Sequence, residues 1–111
     1  MEYGKRLVWI RQHLKLTPLE VAKLVNPKNI SFYYRMEYGF LTKKYMVLVD
    51  LAKFYNEKWQ EKFLLKENFP KYQGKQIKMI TPLFIMVGHD YVVEQLENEF
   101  NLINQIKGII Q

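Results

Sequence analysis

Apolar residues recur at helical spacing along most of the chain. Leu7, Ile10 and Leu14 stand at i, i+3 and i+7, with Lys5, Arg6, Arg11 and Gln12 on other faces, which predicts an amphipathic helix from Glu2 to about Leu14. Thr17-Pro18-Leu19-Glu20 then joins an N-cap threonine, a proline at the first helical position and an acidic residue in the first turn, so a second helix starts at Pro18. Asn26-Pro27 ends it, with Asn26 expected in the left-handed conformation and Pro27 unable to continue. A third helix fits from about Ile30 to Tyr38, with Tyr33 and Met36 inward and Gly39 closing it. After a loop from Phe40 to Lys44, the positions Val47, Leu48, Leu51, Ala52 and Tyr55 predict a fourth helix. Trp59, Phe63 and Leu64 mark a shorter fifth one.

The pattern breaks over Asn68 to Lys75, where Pro70 and Gly74 suggest a boundary between a first unit, residues 1–67, and a C-terminal extension, residues 76–111. Beyond it the pattern admits an extended strand from Ile77 to Ile80. Thr81-Pro82-Leu83 repeats the start signal of the second helix, and Gly88-His89-Asp90 either interrupts the helix that follows or caps a new one. Val93, Leu96, Phe100, Ile103 and Ile110 form a heptad-like apolar stripe beside Glu94, Glu97 and Glu99. The stripe suits a dimer interface; its alternative is additional core, folded back on the first unit.

Composition narrows this picture. A chain of 111 residues has room for one domain or one module with an extension, and 49% hydrophobic residues exclude a disordered tail for most of it. The absence of cysteine removes disulfides, thiol nucleophiles and thiolate zinc sites. No apolar core of signal-peptide length follows Met1, and the longest apolar stretch, Met79 to Val87, is too short for a membrane span and contains Thr81 and Pro82. A cytoplasmic protein with no membrane partner is expected.

The net charge of +6 divides unevenly: residues 1–75 carry 15 Lys plus Arg against 7 Asp plus Glu (+8), and residues 76–111 carry 2 against 4 (−2). A basic front half favours an anionic partner such as nucleic acid, and the apolar, mildly acidic back suits protein. Nothing points to catalysis. His13 and His89 lack metal-ligand spacing, and the five glycines form no phosphate loop. Asp50, Glu57 and Glu61 stand among Lys53, Lys58 and Lys62 as a solvated ion-pair face. No enzyme, cofactor or metal site is expected.

Residues 5–55 resemble the Cro and phage-repressor type of helix-turn-helix, the XRE family. The resemblance rests on Leu7-x-x-Ile10-Arg11, on Leu16-Thr17-x-x-Glu20-Val21-Ala22, on Ser31-x-x-x-Arg35-Met36-Glu37-x-Gly39 and on Leu48-x-x-Leu51-Ala52-x-x-Tyr55, four fragments in order. Asn26-Pro27-Lys28-Asn29 makes the turn about one residue longer than in the family, and Phe32, Tyr33 and Tyr34 stand where small or polar residues are more usual.

The resemblance implies an all-α, five-helix, lambda-repressor-like helix-turn-helix domain with a mainly helical C-terminal extension. It further implies sequence-specific binding of double-stranded DNA by a small transcription regulator, acting as a homodimer on a palindromic operator. The third helix would enter the major groove, with Asn29, Ser31, Phe32 and Arg35 as base-contacting positions, Arg35 suited to guanine O6 and N7. Phe32 would pack either on a thymine methyl or on an edge against the C-terminal segment. Thr17, Lys28, Thr42, Lys43 and Lys44 would hold phosphates, and Arg11 with Glu37 would form a structural ion pair. Two other readings share the module: an antitoxin or restriction-control regulator with a protein partner on its tail, and an interaction adaptor that has lost DNA binding.

Overall fold

The computed structural model describes residues 2–64, 68–88 and 108. They are mainly helical: α1 (Glu2–His13), α2 (Pro18–Val25), α3 (Ser31–Glu37), α4 (Tyr45–Phe63) and α5 (Pro82–Val87), with one antiparallel hairpin, β1 (Lys71–Tyr72) and β2 (Lys75–Gln76), between α4 and α5. Helix dominates as expected of an all-α chain, and the two short strands are the departure from it.

Local chemistry sets the helix ends. α1 closes with Lys15 in the left-handed region (φ 55°), Leu16 N–H donating to Arg11 O (3.1 Å) and Lys15 N–H to Gln12 O (3.0 Å). This is the six-to-one and five-to-two pattern that a C′ residue of positive φ creates. α3 ends the same way on Gly39 (φ 108°), with Phe40 N–H on Arg35 O (2.9 Å) and Gly39 N–H on Met36 O (3.0 Å). α2 starts on a reciprocal capping box between Thr17 and Glu20, with Pro18 at its head. Its end differs from expectation: Asn26 is extended (φ −153°, ψ 91°), not left-handed. The following Pro27 disfavours helical geometry at Asn26. The Asn26 side-chain oxygen instead accepts from the N–H groups of Lys28 and Asn29, both at 3.2 Å, and shapes the turn into α3.

The expected fourth and fifth helices are one. No glycine or proline separates Tyr55 from Trp59, and α4 runs unbroken through both. Its second half has a separate task, because Trp59 Nε1 donates to Ile77 O (2.6 Å), Gln60 Nε2 to Lys78 O (2.6 Å), and Asn56 Oδ1 accepts from Ile80 N–H (3.2 Å). Residues 77–80 are therefore held as an irregular segment on α4, not as a strand.

The stretch anticipated as a boundary holds the hairpin. Gln73 (φ 51°) and Gly74 (φ 84°) are both left-handed, the requirement of a type I′ two-residue turn, and they pair Tyr72 with Lys75 and Lys71 with Gln76. Past it, Ile77, Ile80, Phe84 and Ile85 enter the same core as Leu7, Ile10, Tyr33, Leu48 and Trp59. For residues 77–86 the chain thus folds back as additional core. α5 begins on Thr81, whose hydroxyl accepts from Phe84 N–H (3.2 Å), and stops at Gly88 (φ 120°).

Arg6, placed by the sequence pattern on an outward face of α1, is 3% exposed. Its Nε and Nη2 donate to the carbonyls of Ile85 (3.0 Å) and Met86 (2.6 Å) at the end of α5. A cation on the last carbonyls of α5 suits the negative end of the helix and ties α5 to α1. The proposed dimer stripe, Val93 to Ile110, lies outside the described residues.

Candidate nucleic-acid interface

α2 and α3 pack on each other, with α1 crossing α3. The inward side of α3 is fixed by Tyr33 and Met36, both fully buried, and Tyr33 meets Tyr55 hydroxyl to hydroxyl at 2.6 Å. Burial pushes both phenols well above their ordinary pKa, and the neighbouring Glu37 carboxylate acts in the same direction. Glu37 itself receives Arg11 in a forked contact, Nε to Oε2 at 2.7 Å and Nη2 to Oε1 at 3.1 Å, with both side chains 12% exposed. Arg11 Nη1 also donates to Leu16 O (3.1 Å), so one guanidinium ties α1, the α1–α2 turn and α3 together. Its hydrogen bond to Glu37 raises the guanidinium pKa, against partial burial.

With that side fixed, Ser31 and Arg35 face outward, preceded by exposed Lys28, Asn29 and Ile30 in the turn. Ser31 Oγ donates to Asn29 Oδ1 (2.6 Å), ordering the first residues of α3. Phe32 adjoins Phe40, and most of the C-terminal segment expected as its alternative partner lies outside the described residues. Phe32 is half-buried, with its ring edge-on to Phe40 at 6.0 Å and 82°, so the protein engages it and Asn29, Ser31 and Arg35 remain the exposed members of the base-contacting set.

The phosphate set divides similarly. Lys28, Lys43 and Lys44 are exposed. Thr42 is not available: it is 2% exposed and its Oγ1 accepts from Lys44 N–H (3.1 Å), because a short polar side chain in a tight loop satisfies the loop's own backbone. Thr17 is exposed but committed to the capping box, its hydroxyl and N–H both directed at Glu20 Oε1 (3.1 and 3.3 Å). The start of α2 therefore already holds a carboxylate of its own.

The electrostatics of this face are one-sided. Between Val21 and Val49 the only carboxylate is Glu37, spent on Arg11, while Lys23, Lys28, Arg35, Lys43 and Lys44 are all exposed. Phe40 is the residue the sequence pattern passes over. It follows Gly39 directly, at the position where a chain leaving a helix through a left-handed residue usually sets an apolar side chain back on the last turn. Here its ring lies 5.2 Å from the Arg35 guanidinium carbon.

Among the described residues no group of His, Asp and Glu is placed to hold a metal ion, and no helix is long and apolar enough to cross a membrane. Comparison of the chain with known protein families, curated proteins and solved structures gives no match.

Proposed function

We propose that this chain is a small sequence-specific regulator that binds double-stranded DNA by setting α3 in the major groove, in the manner of the helix-turn-helix proteins it resembles. One observation carries the reading. Five cations lie exposed between Val21 and Val49, on α2, in the turn, on α3 and in the following loop, and the single carboxylate within that stretch of sequence is paired with Arg11. Such a surface attracts phosphate along its length, while the outward edge of α3 supplies Asn29, Ser31 and Arg35 for base edges. Lys28, Lys43 and Lys44 flank that helix in sequence and act as phosphate anchors. Pairing of two copies through the stripe from Val93 to Ile110, in a cytoplasmic homodimer, completes the proposal.

The test is binding to random and to selected duplex DNA over a range of salt. Lys43→Ala or Lys44→Ala should each lower the slope of log K against log salt by roughly one unit, without altering sequence preference. Weak, salt-independent binding by the parent protein would reject the reading.

A protein-binding adaptor is the second reading, favoured by a groove of about 200 Å³ between α2 and α4, lined by Leu24, Val25, Val47, Asp50, Leu51 and Phe54. Leu24 is 59% exposed at its rim. An adaptor would show none of the salt dependence.

A further inference from the structure

Arg35 does not extend freely from α3. Its guanidinium carbon lies 5.9 Å from the centroid of the Phe32 ring and 5.2 Å from that of Phe40. The two rings meet edge to face, 6.0 Å apart, so cation and rings form a triangle with nearly equal sides. Arg35 remains solvent-exposed in this arrangement.

Phe40 is held independently of its ring. Its N–H donates to Arg35 O (2.9 Å) and its carbonyl accepts from Tyr3 Oη (2.7 Å), which binds the residue to α3 on one side and α1 on the other. The backbone leading to it is equally constrained, since α1 presses Gly4 against the carbonyl of Glu37 and the nitrogen of Gly39. The backbone from which the Phe40 ring projects is thus set by the fold, with no DNA required.

We infer that Phe40 is a positioning residue for base recognition: with Phe32 it forms an aromatic shelf that holds the Arg35 guanidinium in place, so that its N–H edge is presented to the O6 and N7 of one guanine. The inference rests on the DNA-binding reading given above. A free arginine must give up rotamer entropy before it can make two parallel hydrogen bonds, and an arginine already resting on two rings has lost much of that freedom. The two ring faces attract the cation, and because Arg35 stays exposed its outer N–H groups can reach a base. Recognition by Arg35 is therefore specific for guanine, the base that offers two acceptors on its major-groove edge.

The experiment is selection of duplex DNA from a random library by the full chain, followed by affinity measurements on the selected site and on variants of each guanine. Arg35→Ala should abolish preference at one guanine, a loss of roughly ten- to hundredfold, and leave preference elsewhere intact. Phe40→Leu should reduce preference at that same guanine by roughly two- to fivefold, with salt slope and melting temperature near those of the parent. Phe40→Tyr should restore it. If Phe40→Leu leaves the guanine preference unchanged, or lowers affinity equally for every sequence, the shelf is refuted while DNA binding stands. If the parent selects no sequence and shows no salt-dependent binding, the DNA-binding reading fails and this inference falls with it. A nuclear magnetic resonance measurement of the free protein adds a readout without DNA: the Arg35 side-chain signals should carry ring-current shifts that Phe40→Leu reduces, leaving the part due to Phe32. Unshifted signals in the parent would also overturn the proposal.

Discussion

A single methyl group placed at Gly4 tests how closely α1 rides on the end of α3. A β-carbon at this position would stand 2.4 Å from the Glu37 carbonyl oxygen, 3.0 Å from its carbon and 3.1 Å from the Gly39 nitrogen. All three are backbone atoms, and the bonds that close α3 hold them, so none can swing aside as a side chain would. Overpacking of this kind costs roughly 1–3 kcal/mol. Alanine recovers up to about 1 kcal/mol through its better helix propensity, less near a helix start. The balance for Gly4→Ala is a destabilisation of about 1–2 kcal/mol. At roughly 4 °C per kcal/mol for a domain of this size, the melting temperature should fall by about 4–8 °C. Circular dichroism during heating and urea titration both measure it. The two contributions have opposite signs, so the outcome is decisive: an alanine variant as stable as the parent, or more so, would show that α1 does not approach α3 this closely.

The buried phenols make stability sensitive to alkali. Tyr3, Tyr33 and Tyr55 have pKa values raised by burial, so above the ordinary value of 10.0 the unfolded chain loses protons that the folded one keeps, and stability falls as pH rises. Each contributes at most about 1.4 kcal/mol per pH unit. Urea midpoints from pH 9 to 11 should decline, less steeply in Tyr33→Phe/Tyr55→Phe, and a flat profile would contradict the burial. Arg11→Met strands Glu37 in a half-buried site and should cost about 3 kcal/mol or more, much of it recovered in Arg11→Met/Glu37→Leu. The selected DNA sequence should be the same in both, and a changed sequence would mean that the pair does more than hold the fold. Thr17→Ala removes the α2 cap and should cost about 1 kcal/mol with no change in salt slope. An affinity loss equal for every DNA sequence, with the fold intact, would make Thr17 a phosphate ligand.

The parts of the fold that the sequence announces are those governed by the nearest few residues. Thr17-Pro18 and Thr81-Pro82 start helices and Gly39 ends one, because caps and left-handed turns are local chemistry. Tyr33 and Met36 are identifiable as core from spacing alone. What escapes the pattern depends on distant partners. Arg6 and Thr42 look like surface residues until α5 and the loop at Lys44 supply the groups they satisfy. The division expected in α4 is absent because its apolar stripe continues in phase through Tyr55, Trp59 and Phe63; what is new after Tyr55 is the neighbour, the segment from Ile77 to Ile80. Gly4 leaves no trace in a hydrophobic pattern, since its contribution is the absence of a side chain. In the candidate site, Arg35 is legible as an outward cation, whereas the shelf beneath it needs Phe40 to return across a helix end.

The chain has two tryptophans, Trp9 on α1 and Trp59 on α4. Trp9 and Trp59 are 5.5 Å apart, with Tyr72 5.3 Å from Trp9 and Phe84 5.7 Å from Tyr72. The hairpin contributes one wall of this cluster and α5 another, while the face carrying Lys28, Arg35, Lys43 and Lys44 contributes nothing to it. Tryptophan fluorescence, excited apart from the tyrosines, is accordingly a gauge of whether the hairpin is seated against Trp9. It should respond early to loosening of that strap and stay silent when an anion settles on α3, which separates folding from binding in one optical signal.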